Sequence, residues 1–295
     1  MHNAIFPFMK APFTLIAALA APFAFAQTQV TTSSFKYNDG VHPTFSVTIP
    51  GTDADKAEKW FKDQLKAISA STGGKNEVVG IGTRLPEVSG DTIRVFVKAD
   101  QPKKSPDVTV HAAFRVNMAF VGADGDEAQR EACRKWVYQT TVDLKKHMAQ
   151  LDLDAANKML TTLESDLAGL VKEKGRAEDN LEKTQHGIVD DQKSKVEAEG
   201  EAKILETKVE SKKQEVVTSP TEENTKDLQS LMKDQEKLRK KAGKLTEDIA
   251  AGKRKVEDLE FQIKKNLSEQ NTKTKAIATQ KEAVALLTAK LAGIN

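Results

Sequence analysis

Cysteine is nearly missing from this sequence: Cys133 stands alone, so no intrachain disulfide can form and the fold must be held by packing. A lone thiol either sits buried as a small hydrophobe or bridges two copies, and the sequence leaves both open. Aromatic residues are scarce too, at 5% against 30% charged. That balance is lopsided for compact globules and is explained by long helical arms. A bias of charge is also lacking. From Asp126 onward 32 Lys/Arg face 32 Asp/Glu, and from Gln27 to Gly125 the count is 12 against 11. Short basic clusters such as Lys237-Arg239-Lys240-Lys241 are flanked by acids, which describes a solvated helix face and argues against a nucleic-acid partner.

Motifs of chemistry are missing as well. Gly73-Gly74-Lys75-Asn76 lacks the first glycine and the hydroxyl residue of a phosphate-binding loop. His42, His111, His147 and His186 are scattered without a second ligand at metal spacing, and no Ser or Cys is framed as a nucleophile. The expectation is therefore a protein that is not an enzyme, with no cofactor and no metal.

What is present begins with an address. Lys10 precedes the apolar run Phe13 to Ala21 and then Ala24-Phe25-Ala26, the pattern of an export signal cleaved before Gln27; Met9-Lys10 reads as a more usual opening than Met1. The run is shorter than the ~20 residues that span a bilayer, so residues 1–26 are expected to be removed and the mature chain to be periplasmic or secreted without a membrane span.

Residues 27–122 carry alternating apolar patterns. Residues 27–43 read as a mostly irregular lead-in with a short strand at 35–37. Phe45, Val47 and Ile49 then share one face of a strand, and Thr52 with Asp55 opens a helix over about 53–69. Strands follow at 77–83, 92–98 and 108–116, the first weakened by Gly80 and Gly82. The expected fold is a small, mainly antiparallel sheet with one packed helix, an α+β domain. Residues 123–152 continue as a helix packed on that domain, with Ala128, Ala132, Trp136, Thr140, Leu144 and Met148 stepping by four.

From residue 153 to 295 the period changes to 3.5. In the first arm Leu153, Leu160, Leu163, Leu167, Leu170, Leu181, Ile188, Leu205 and Val209 fall on the seam, and 14 of 19 seam positions are apolar. In the second, Leu231, Leu238, Leu245, Ile249, Val256, Leu259, Ile263, Ile277, Val284, Leu287 and Leu291 do the same, with 14 of 20 apolar. Such a repeat predicts a left-handed coiled coil. The turn falls near 217–220, where Ser219 as cap, Pro220 at the first helical position and Glu222 three after the cap restart a helix. The arms are thus antiparallel, and a register pairing residues whose numbers add to about 440 is expected, with a slip of one heptad left open by the repeat. Polar seam residues, among them Lys174, Asp191, Asn266, Gln270 and Lys273, are read as fixing register.

The plan of export signal, small α/β domain and terminal coil is similar to secreted coiled-coil proteins of unknown function from Gram-negative bacteria. The coil alone resembles the arms of DNA-repair ATPases, without their head. Signal, β body and helical arms together also resemble tentacled periplasmic holdase chaperones. Export, an uninterrupted two-arm coil and the missing motifs of chemistry together lead to the expectation of an exported structural and interaction protein with a docking domain and a rigid coiled-coil arm; the last resemblance implies the alternative, a holdase. Either implies a protein partner or self-association.

Overall fold

The computed structural model describes residues 28–295, and the expected export signal at 1–26 lies outside them. The elements are β1 (Val30–Tyr37), β2 (Gly40–Pro50), α1 (Ala54–Ile68), β3 (Ser69–Gly73), β4 (Val78–Thr83), β5 (Ile93–Asp100), β6 (Asp107–Val116), β7 (Ala119–Phe120), α2 (Glu127–Thr218) and α3 (Glu222–Ala292). The strands form one antiparallel seven-stranded sheet in the order β1-β2-β6-β5-β4-β3, with β7 paired to β6. The fold is α+β, a sheet with a packed helix followed by a helical hairpin.

Three local expectations are corrected. The lead-in is a hairpin: β1 pairs with β2 along its whole length, from Val30 opposite Val47 to Tyr37 opposite Gly40. Its Thr- and Ser-rich sequence hid it, because an edge strand buries little on either face and needs no apolar alternation. The helix expected over 53–69 stops at Ile68 and passes straight into β3, a strand of small polar residues. Its cap is Asp53, whose carboxylate accepts from the Lys56 amide at 2.8 Å, in place of Thr52, whose hydroxyl is buried. Finally, Asn117 and Met118 adopt φ of 46° and 74°, a tight reversal that adds β7 to the sheet.

The core lies on one face of the sheet. Phe45, Val47 and Ile49 of β2, Val95 and Val97 of β5, and Val108, Val110 and Phe114 of β6 meet Ala57, Phe61 and Leu65 of α1. Steps of four along α1 place those three side chains on one stripe. Cys133, Val137 and Leu144 of α2 enter the same cluster. Trp136 fits between rings, edge-on to Phe61 at 5.9 Å and to Phe114 at 5.7 Å. Trp60 donates its Nε1–H to the Thr140 carbonyl at 3.1 Å, joining α1 to α2. The opposite face holds a smaller cluster of Tyr37, Phe96 and Ala113 bordered by Phe35, Val79 and Phe120.

The chain divides into two compact units, one of residues up to 158 together with 281–295, the other of residues 159–280. Among the described residues, no helix is long and apolar enough to cross a membrane.

Candidate interaction surface

The hairpin supplies the most extended surface. Both arms are helical throughout, 92 residues in α2 and 71 in α3. The join is built by backbone and side-chain bonds: the Ser219 amide closes α2 on the Glu215 carbonyl at 2.7 Å, and the Thr221 hydroxyl accepts from the Asn224 amide at 3.1 Å. Thr221 is thus the cap of α3, with Pro220 just before it and Glu222 the first helical residue, so the cap sits two residues beyond Ser219. Ser219 contributes its carbonyl instead, accepting from the Asn224 side-chain amide at 2.9 Å.

Along the seam, Leu163, Val209, Leu259 and Ile277 are buried. Leu153, Leu160, Leu167, Leu170, Leu181, Ile188 and Leu205 on α2 are half-buried. So are Leu231, Leu238, Leu245, Ile249, Val256, Ile263, Val284, Leu287 and Leu291 on α3. Two helices leave one side of each seam side chain open to water, which is why half-burial is the rule here. Ala198, Ala202 and Ala242 are buried as well. At Gly252 an added Cβ would lie 2.7 Å from Ile188 Cγ1, so this glycine is the socket of an isoleucine from the other arm.

The polar seam residues make specific bonds. Asn266 donates to the Leu170 carbonyl at 3.0 Å and accepts from Gln270 at 2.7 Å; Lys273 reaches Asp166 at 2.7 Å. At the tip Lys212 meets Asp227 at 3.3 Å and Asn224 at 2.9 Å. Each cross-arm partner adds to about 440, the sum Ile188 and Gly252 also give, so these groups hold one register against slips of a heptad.

On the sheet face away from the helices, sequence spacing missed one constellation. Ser46 Oγ lies 2.8 Å from His111 Nδ1, 2.8 Å from Ser33 Oγ and 3.2 Å from Thr44 Oγ1. Phe35 stacks on His111 at 3.9 Å, and Phe120 on His42 at 3.7 Å, with His42 held by Asp39 at 2.8 Å. The only signal was polar residues on alternate positions of two strands, and the register placing Ser46 opposite His111 had to be seen. Burial holds the His111 imidazole below its usual pKa, partly opposed by the Asp100 carboxylate. A buried hydroxyl already shared among three partners serves as a clip between β1, β2 and β6. Burial likewise pushes the Cys133 thiol up to about 12, so little thiolate exists at neutral pH. Among the described residues no group of three or more His, Cys, Asp or Glu is placed to hold a metal ion.

The class these elements define is an α+β domain continued by an antiparallel helical hairpin. The chain matches none of the protein-family models it was scanned against, and no curated protein is significantly similar to it.

Proposed function

We propose that this is an exported structural and interaction protein, in which the α+β domain docks and the hairpin offers an association surface, with no catalysis by the chain. One observation carries the reading: α2 supplies core side chains Cys133, Val137 and Leu144 to the domain, then seam side chains from Leu153 onward, with no break in the helix. Export rests on the residues before Gln27 and predicts a mature chain beginning there, read by N-terminal sequencing. The association role is tested by cross-linking the exported chain in its cells. Capture of a second protein or a second copy is expected, and is lost when residues 159–280 are excised. Equal capture by the excised chain would sink the reading.

A holdase role is supported by apolar side chains on the outer surface of α2, where Val171, Val189 and Val196 are exposed. It predicts that the mature chain suppresses aggregation of an unfolded outer-membrane protein at stoichiometric ratios. No suppression removes it.

A further inference from the structure

The outer face of α3 carries a pattern that the seam does not use. Arg239, Gly243, Ala250, Glu257 and Phe261 follow one another at steps of four, seven, seven and four, so they lie on one line of the helix, and the line reads the same from either end about Ala250. All five are exposed, and Phe261 keeps 69% of its surface in water, unusual for a ring among charged neighbours. Open space stands above Gly243, where an added Cβ would meet nothing within 4 Å. Beside it is a shallow concavity whose lining includes Glu199, Ala202, Lys203 and Gly243, one wall of which is fixed by Arg239 bound to Glu206 at 3.2 Å.

We propose that two copies of the chain associate through this face of α3, antiparallel and related by a two-fold axis at Ala250, each seating Phe261 among Glu236, Arg239, Lys240 and Gly243 of the partner. The inference rests on the reading of the hairpin as an association surface and names its occupant. A knob on one helix enters a hole made by four residues of the next, and Glu236, Arg239, Lys240 and Gly243 form such a hole, one end of which glycine leaves open. Phe261 reaches the hole because it lies eleven residues from the axis on one side and Arg239, at the middle of the hole, lies eleven residues from it on the other. The cations at its rim meet the face of the ring.

Charge selects the same arrangement. With the axis at Ala250, Glu247 faces the partner's Arg254, Lys240 faces the partner's Asp258, and Glu260 faces the partner's Arg239. Symmetry makes each pair occur twice, and no like charges oppose one another among them. At the axis Ala250 meets its own copy, and a methyl group allows the helices to approach closely.

Light scattering on the full exported chain is expected to give the mass of two chains. Phe261→Arg, which puts a cation against Arg239 and Lys240, should weaken association at least about tenfold with helicity unchanged by circular dichroism. Glu247→Arg should weaken it too, and adding Arg254→Glu to the same chain should restore it. Ala250→Cys should oxidise readily to a covalent dimer, whereas Asp248→Cys, at the same height on another side of α3, should not. A single-chain mass at about 100 μM, or a dimer indifferent to Phe261→Arg and to the charge swap, overturns the proposal. Partner capture lost on excision of the hairpin would stand apart from that outcome, so failure of the dimer and failure of the association role are read separately.

Discussion

Individual residues here are set by neighbours distant in sequence. Gly252 and Gly187 are both helical glycines, yet one faces Ile188 and the other open space. Gly252→Ala is expected to cost about 1–3 kcal/mol through overpacking of the seam, whereas Gly187→Ala should stabilise by about 0.5–1 kcal/mol because helix propensity alone acts. Thermal unfolding of the two variants gives the comparison. His111 makes stability depend on pH. Its folded pKa lies below the ordinary value of 6.5, so the folded state holds fewer protons than the unfolded one inside that interval. The contribution is fully present above the unfolded value and is lost as pH falls through the window down to the lowered folded one. His111→Gln should remove that component of a denaturation series run across mildly acid pH. Cys133, buried and with its thiol pushed up to about 12, should resist alkylation in the native chain and react only once the core opens. That burial answers the choice left open by composition, since a thiol inside the core of one chain is not placed to bridge two.

At the scale of elements, the helices follow from periodicity and the strands from pairing. The 3.5-residue repeat is enough to specify α2 and α3, because each turn repeats the same apolar face. Their junction depends on a hydroxyl whose identity the repeat does not fix. Thr221→Ala should destabilise the start of α3 by about 1 kcal/mol, while Ser219→Ala should have a smaller effect because Ser219 is engaged through its backbone amide and carbonyl, which alanine keeps. Hydrogen exchange in the first turn of α3 separates the two. In the sheet, β2, β5 and β6 are legible as alternating strands, since each lays every second residue on the core. β1, β3 and β7 are not, because an edge strand is held by backbone bonds to its neighbour and its side chains need carry no pattern.

For the whole molecule, the division into units puts residues 281–295 with the α+β domain rather than with the middle of the hairpin. Lys290 lies 3.8 Å from Asp152 within that first unit. A chain from which residues 159–280 are excised, with 158 joined to 281 by a short turn, should therefore retain a folded domain. Protection of Cys133 from alkylation and a dispersed amide spectrum are the measurements; free reaction of the thiol would show that the domain needs the rest of the hairpin.

Taken alone, the sequence determined the helical hairpin, a turn near residues 217–220 and the core strands, because local periodicity repeats one physical requirement many times over, whereas the register of the arms was left open to a slip of a heptad until the cross-arm partners were seen. It did not determine the first hairpin of the sheet, the cap at Thr221, the socket at Gly252 or the Ser46–His111 clip. Each of these depends on a single partner brought close by strand register or helix packing, and one residue meeting one other leaves no period to read.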